Sequence, residues 1–149
     1  MSPNEQSLRT LIERAWSQGD LTVIDGIVAA DYVAHDPTMN REPGPNGFRK
    51  VVELFRRAFP DLRYSIEDLV EAGDKLAIRF LARGTHGGEF LGIRPTRRKV
   101  EIAGMAIYRF QRGMVAEGWF QWDALGLMRQ LGGGMAPSNN KNEKSGRQR

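Results

Sequence analysis

The sequence predicts a single α+β domain in which helices pack on one face of a curved antiparallel sheet. Apolar residues follow the three-to-four spacing of amphipathic helices up to Pro60, and they alternate with polar residues from Leu62 onward. A run of helices followed by a run of strands is typical of α+β domains rather than of alternating β-α-β folds. The 149 residues are enough for one core and too few for two ordinary domains.

The first part of the chain predicts three helices. The first covers residues 5–17 and ends at Gly19, and the second is a short helix over residues 21–28. The third covers residues 48–58 and ends at Pro60, because proline cannot continue a helix. We predict a loop over residues 29–40, since Pro37 biases the residue before it away from helical conformation.

The second part of the chain predicts a four-stranded meander and a final short helix. The strand segments are LRYSIEDLVEAG, DKLAIRFLARGTHGG, RKVEIAGMAIYRFQRG and MVAEGWFQWD. Every break between them contains glycine, which favours antiparallel strands joined by hairpins. The last helix is predicted over residues 124–131. No glycine pattern precedes a helix in the way that a phosphate-binding loop requires.

The net charge of +4 does not indicate a nucleic-acid partner, because most of it lies at the C-terminus. Residues 138–149 contain four Lys or Arg and one Glu, a net of +3, so the rest carries 4 − 3 = +1. We therefore expect a folded domain over residues 1–132 and a disordered, Gly-rich then basic tail over residues 133–149. That tail has no aromatic residue for base stacking.

The composition also limits the compartment and the cofactors. No apolar run approaches the roughly 20 residues that span a bilayer, and the N-terminus does not resemble a secretory signal. We expect a cytoplasmic protein without membrane contact. The sequence has no cysteine and only two histidines, too few for a metal site, so we expect neither metal nor cofactor.

The last predicted strand has one unusually polar face. Glu117, Trp119, Gln121 and Asp123 share it, so this face either meets water or lines a cavity. Asp123 precedes a helix that begins at Ala124, and aspartate is a preferred N-cap residue. The same carboxylate, if buried, is a candidate general acid/base. The sequence leaves both roles open.

Several segments resemble a known family. They are YVAHDP at residues 32–37, PGPNGFRKVVELFRRAFPDLRYSIEDLVEAGDKLAIRF, GTHGGEFLGIRPTRRKVEI, IYRFQRGMVAEGW and WDALGLMRQLG, which together cover most of residues 5–132. This combination resembles the SnoaL-like polyketide cyclases, or ester cyclases, of the NTF2-like superfamily. The hairpin GTHGGEFLGIRPT and the C-terminal WD and RQLG are the more specific parts of the resemblance.

The resemblance implies a cone-shaped α+β fold, with three helices against a strongly bent sheet and a pocket between them. It also implies an oligomer formed through sheet faces, a homodimer or homotetramer. Characterised family members catalyse a cofactor-free intramolecular aldol cyclisation of a polyketide ester. Their acid/base is an aspartate at the end of the last long strand, and the position that matches it here is Asp123.

The strands supply further candidate pocket residues. Gln121 and Trp119 share a strand face with Asp123, so a ligand at Asp123 would also touch them. On the preceding strand Met105 and Ile107 form an apolar wall where ring-closing family members carry polar residues. Arg109 binds an oxyanion or pairs with Glu117 across the hairpin.

The helical half and the two histidines complete the predicted site. Trp16, Tyr32 and Phe48 either cover the pocket as ligand contacts or belong to the core. His35 either lines the pocket mouth, where it polarises a carbonyl group or holds Asp123, or is an exposed turn residue beside Asp36. His86 lies in a glycine-rich hairpin and is predicted as a structural or interface residue that a ligand could also reach.

Three functions are compatible with this site. The first is a cofactor-independent cyclase acting on a small, apolar, polyketide-like ester, with Asp123 as acid/base. The second is a non-catalytic ligand-binding or dimerisation module, because fold alone does not determine function. The third is a related hydrolase or hydroxylase that uses the same pocket with a bound water molecule.

Overall fold

A computed structural model describes residues 1–132, and the predicted tail over residues 133–149 lies outside this range. The helical elements are α1 (Pro3–Thr10) with a π-helical extension (Leu11–Ser17), a 3₁₀ turn (Leu21–Val23), α2 (Ile24–Ile27), α3 (Gly44–Ala58) and α4 (Ala124–Gln130). The strands are β1 (Val28–His35), β2 (Arg63–Ala72), β3 (Lys75–Thr85), β4 (Lys99–Gln111) and β5 (Met114–Trp122). The predicted α+β class is confirmed, with helices packed on one open, curved sheet.

The helices form where the apolar spacing predicts them. Ser2 caps α1 by accepting a hydrogen bond from the Glu5 amide, and Leu8 is fully buried one turn later. Helix α3 begins earlier than predicted, at Gly44, because Pro45 is compatible with the first turn of a helix. Its apolar face, which includes Val52 and Phe55, packs into the core.

Strand β1 is the main difference from the predicted secondary structure. We expected a loop over residues 29–40, but the structure has a strand up to His35. It pairs in parallel with β5, so the sheet is mixed, with the order β1-β5-β4-β3-β2. A register shift between Val28 and Val33 interrupts the alternation of buried and exposed residues, which hides the strand in the sequence.

The sheet has two chemically different faces. Even-numbered residues of β3, such as Leu76, Ile78 and Phe80, are buried beneath the helices. On β4 and β5 the buried face likewise includes Tyr108 and Phe120. The odd-numbered residues of these three strands form the outer face, except for Val115, which a register shift between β4 and β5 brings into the core opposite Phe110. The interior of the cone therefore lies on the side of the even-numbered residues.

No helix within residues 1–132 is long and apolar enough to cross a membrane.

Candidate functional site: an aromatic cavity with one polar end

An interior cavity of about 50 Å³ lies between the helices and the inner face of the sheet. Its wall is mainly aromatic because α3 and the even-numbered strand residues both direct rings toward it. The aromatic apolar lining comprises Trp16, Phe48, Phe55, Phe80, Phe120 and Trp122. Most ring pairs meet edge to face, as Trp16 and Phe55 do at 5.9 Å between centroids.

Arg41 and Asp36 form a buried ion pair at one end of this cavity. The Arg41 Nε and Nη2 atoms lie 3.0 and 2.7 Å from the same Asp36 oxygen, Oδ2. Their side chains are 8% and 0% exposed, so water screens the pair little. The Trp122 indole Nε1 donates to the same carboxylate at 3.3 Å. Arg41 also lies 4.1 Å from the centre of the Phe120 ring, a cation–π contact.

The Asp36 carboxylate is stabilised as an anion. Burial raises its pKa, but hydrogen bonds from the Thr38 hydroxyl and amide and the Arg41 charge outweigh burial and hold the pKa below its ordinary value. A carboxylate with so many donors is a weak base. Its role in this geometry is to hold Arg41 and Trp122 in place.

Two tyrosine residues line this cavity and a third packs against its wall. Tyr64 and Tyr108 belong to the cavity wall, and the Tyr32 ring packs edge to face on Phe48 at 6.0 Å. Burial raises the pKa of Tyr108 to about 12 and also raises the pKa values of Tyr32 and Tyr64, while the charge of Arg41 opposes each shift. All three are therefore neutral hydrogen-bond donors at neutral pH.

An open groove of about 480 Å³ lies on the other side of Arg41. Three predicted site residues, His35, Trp119 and Gln121, line it. The His35 and Trp119 rings stack at 5.4 Å with 20° between their planes. Arg41 and Phe120 contribute to both the groove and the interior cavity, so their contact forms part of the partition between the two.

Arg109 takes the second of its two predicted roles. It pairs with Glu117 across the β4–β5 hairpin, with Nε 3.1 Å from Oε1. The other carboxylate oxygen of Glu117 is 2.7 Å from His35 Nε2. The hydrogen bond to His35, followed by the bond and charge of Arg109, lowers the pKa of Glu117. His35 is exposed and near the groove, where its ring is held by Glu117 and Trp119 rather than by Asp123.

Asp123 is the N-cap of α4. Its Oδ1 accepts a hydrogen bond from the Gly126 amide at 2.8 Å, and the residue is exposed. It lines neither the interior cavity nor the groove, although it follows Trp122, which lines the cavity. The sequence left two roles open for Asp123, and in this structure its side chain makes the capping hydrogen bond.

The predicted apolar wall lies on the outer face of the sheet. Met105 and Ile107 are 59% and 41% exposed and do not contribute to the interior cavity. The physical reason is the alternation along β4, which places Ala106 and Tyr108 inside and their odd-numbered neighbours outside.

The three aromatic residues that were predicted either to cover the pocket or to belong to the core are all buried, and two of them line the cavity. Trp16 and Phe48 line the cavity and are also part of the core, so the two alternatives for these residues coincide. Tyr32 is 1% exposed and its hydroxyl group has no hydrogen-bond partner among residues 1–132. It lies in β1 rather than in a loop.

His86 is separate from the cavity. It is fully buried beside Phe59, with 5.6 Å between ring centres. Its Nδ1 accepts from the Thr96 amide at 3.1 Å, and the Thr96 hydroxyl is 3.0 Å from the same atom. Burial lowers the pKa of His86. These contacts give His86 a structural role at the base of the β3–β4 loop.

Sequence reasoning missed the polar end of the cavity. Arg41 lies in the loop after Pro37, so neither helical nor strand periodicity could predict its position. Tyr64 and Tyr108 were treated as ordinary strand residues. They share even numbering with Ile66 on β2 and with Ile102 and Phe110 on β4, and this was the available signal. Within residues 1–132 no cluster of three or more His, Cys, Asp or Glu side chains is arranged to hold a metal ion.

Comparison with known proteins establishes the family. The sequence model of the SnoaL-like polyketide cyclases matches residues 6–131. The chain belongs to this family. No curated protein sequence matches it significantly.

Solved structures of this SnoaL-like fold agree closely with the chain. TsrD from Streptomyces laurentii has a TM-score of 0.80 at 29% identity, with 87% of this chain and 95% of that chain covered. IdmH from Streptomyces antibioticus, a proposed polyketide cyclase, has a TM-score of 0.76 at 32% identity, with 87% and 98% covered. AclR from Streptomyces galilaeus, a proposed hydroxylase, has a TM-score of 0.76 at 28% identity, with 87% and 95% covered.

Proposed function

We propose that this protein catalyses cofactor-independent ring closure of a small polyketide-type ester, and that the ring system binds in the interior cavity. Membership of the SnoaL-like polyketide cyclase family supports a cyclase-type function. The main observation in favour of this binding site is its aromatic wall, which the Arg41–Asp36 pair closes at one end. Flat apolar rings suit such a wall, and a few placed polar groups provide orientation.

The reaction would be an intramolecular aldol addition. A base removes a proton from the carbon next to a carbonyl group, and the resulting enolate carbon bonds to a second carbonyl carbon. The alkoxide formed there takes up a proton, so the product is an isomer of the substrate. A carbon flanked by two carbonyl groups is the best-suited reacting carbon, because its proton is acidic enough for a weak base.

The acid/base role of Asp123 stays a prediction. To reach a ligand in the cavity its carboxylate would have to leave the Gly126 amide and turn to the inner side of Trp122. A carboxylate that accepts a backbone hydrogen bond is also a weaker base. On this geometry, the cap is the better supported role for Asp123.

The cavity must enlarge to admit a substrate. Ligand sites usually measure about 300 Å³ or more, whereas this cavity is about 50 Å³. Arg41 and Phe120 separate it from the 480 Å³ groove, so a shift of their contact would join the two spaces. The groove residues His35, Trp119 and Gln121 would then line the entrance.

Turnover by cavity-filling variants tests this proposal. The assay incubates the protein with aromatic β-keto esters in the presence of a chelator and follows an isomeric product by chromatography and mass spectrometry. Ala82→Phe fills the cavity from β3, whereas Ala77→Phe adds the same ring to the outer face of the same strand. We expect turnover to be lost in the first variant and kept in the second. Ala82→Leu provides a smaller filling variant if Ala82→Phe does not fold.

Two results would contradict the proposal. Equal turnover in Ala82→Phe and Ala77→Phe, both folded, would place the reaction elsewhere. Binding of the esters without any isomeric product would favour the second candidate function, a ligand-binding module. The small cavity and the capping contact of Asp123 are the observations in favour of that candidate.

We also propose that the protein forms a homodimer or homotetramer through the outer face of the sheet. Val33, Met105 and Ile107 are 43%, 59% and 41% exposed there, an unusual group of apolar side chains for a free surface. Ile107→Glu should convert the oligomer to monomer in light scattering. Leu91→Glu, at a site in the β3–β4 loop that is 59% exposed, should not. A monomeric wild-type protein would contradict the proposal.

A further inference from the structure

The polar end of the cavity contains the Arg41 guanidinium, a group that only donates hydrogen bonds. Two donor atoms of Arg41, Nε and Nη2, are engaged by Asp36. Asp36 does not engage the third donor atom, Nη1. Asp36 itself is saturated, because it accepts from Thr38 and Trp122 as well. The carboxylate is therefore fully used as an acceptor, whereas the guanidinium keeps a donor atom that Asp36 does not bind.

Tyrosine hydroxyl groups, which can both donate and accept, supply further donors close to this end. Tyr64 and Tyr108 are on the cavity wall, and the Tyr32 hydroxyl is buried without any hydrogen-bond partner among the described residues. A buried polar group without a partner is rare in folded proteins. Arg41 lines the same cavity as Tyr64 and Tyr108.

We infer that Arg41, Tyr64 and Tyr108 form a donor site for a carbonyl or enolate oxygen of a planar apolar ligand. The ligand class follows from the chemistry of the wall. Rings fit the aromatic part. An acceptor oxygen satisfies the Arg41 guanidinium, which has donors alone, and the tyrosine hydroxyl groups can donate to the same oxygen. A ligand that presents an amino hydrogen there would leave the Arg41 guanidinium facing another donor.

The ion pair with Asp36 explains why the site suits a carbonyl group rather than a permanent anion. Asp36 neutralises the Arg41 charge, so the attraction between Arg41 and a carboxylate or phosphate ligand would not offset the hydration free energy that the anion loses. A neutral carbonyl group loses less hydration free energy on entering the cavity. If its carbon framework is deprotonated there, the same donors stabilise the enolate oxygen. This inference rests on the proposed function only for the position of the site.

A matched ligand pair tests the inference without requiring turnover. Indan-1-one and indane have the same fused ring skeleton and differ in one carbonyl group. We expect wild-type protein to bind indan-1-one about tenfold more tightly than indane, the size of one to two net hydrogen bonds. Dissociation constants come from titrations followed by tryptophan fluorescence, since Trp16 and Trp122 line the cavity.

Phenylalanine variants keep the aromatic wall and remove one donor at a time. In Tyr108→Phe and Tyr64→Phe the preference for indan-1-one should fall several-fold, while the affinity for indane stays the same. Tyr32→Phe removes the hydroxyl group that has no partner, so its melting temperature should be unchanged or higher. A purely structural role of the tyrosines would instead change both affinities equally.

The possible outcomes separate this inference from the proposed function. Equal affinity for the two ligands in wild-type protein, or an unchanged preference in both Tyr108→Phe and Tyr64→Phe, would overturn the donor site. Selective binding of indan-1-one that depends on these hydroxyl groups would support it, even in a protein that shows no cyclase turnover. Turnover with an unchanged preference would retain the cyclase and remove the donor site.

Discussion

Replacing Asp123 separates its capping role from the predicted acid/base role. Asparagine caps helices about as well as aspartate, because its carbonyl oxygen accepts the same amide hydrogen bond. In Asp123→Asn the bond from the Gly126 amide, 2.8 Å long in the wild type, can therefore persist while the carboxylate is lost. Asp123→Ala removes both the cap and the carboxylate.

The structure sets the expected size of the two effects. Loss of an N-cap costs about 1 kcal/mol, and the exposed position of Asp123 argues against the upper end of the known range. Leu127 and Leu131 remain buried and keep α4 in place, so the loss should stay local. For a domain of this size, about 1 kcal/mol corresponds to a decrease in melting temperature of about 4 °C in Asp123→Ala. Asp123→Asn should melt at the wild-type temperature.

Turnover of the two variants is measured in the β-keto ester assay and normalised to the folded fraction. The capping account predicts wild-type rates for Asp123→Asn. A rate reduced by about two or more orders of magnitude, in a variant with wild-type stability, is the scale of a lost acid/base and would refute that account. It would assign the reaction to Asp123 as the family resemblance implies.

Four further predictions concern stability. Arg41→Met leaves Asp36 buried without its partner and should cost about 3 kcal/mol in urea unfolding, most of which Asp36→Asn restores in the double variant. Because the Asp36 pKa is lowered in the folded protein, the ionised carboxylate stabilises the fold at pH values above its ordinary pKa near 3.8. This stabilisation is lost as pH falls through the lowered pKa of the folded state, so the stability of Asp36→Asn should depend less on pH in that range. Burial lowers the His86 pKa, so wild-type stability should decrease as pH falls below about 6.5, and His86→Asn should lack this slope in pH-dependent melting. Gly47→Ala should cost about 3 kcal/mol or more, since its Cβ would lie 1.5 Å from a backbone oxygen, whereas Gly26→Ala, in open space, should be neutral.

The sequence was sufficient to predict most of the architecture because the two periodicities are strong. The helix over residues 5–17 and the strands from residue 62 onward form close to where the spacing indicates. Strand β1 could not be predicted from the sequence, because it pairs in parallel with β5, and this pairing joins His35 to Trp119 across a long stretch of chain. No local pattern specifies such a pair, and the register shift in β1 obscures its alternation.

The candidate site was predicted less well, for a different reason. Alternation shows which residues share a face, but not which face the helices cover. The polar face of Trp119 and Gln121 was taken as a cavity wall, and the structure places it on the outer side, at the groove. The cavity lies behind Phe120 and Trp122. Arg41 reaches it from a loop, and only tertiary contacts could place it there.

A crystal structure of the protein with indan-1-one bound tests the central claim most directly. The account predicts the ring between Phe55 and Phe80, with the ketone oxygen within hydrogen-bond distance of Arg41 and of the Tyr108 hydroxyl group. A ligand bound instead in the outer groove against His35, with the interior cavity unchanged, would contradict the account.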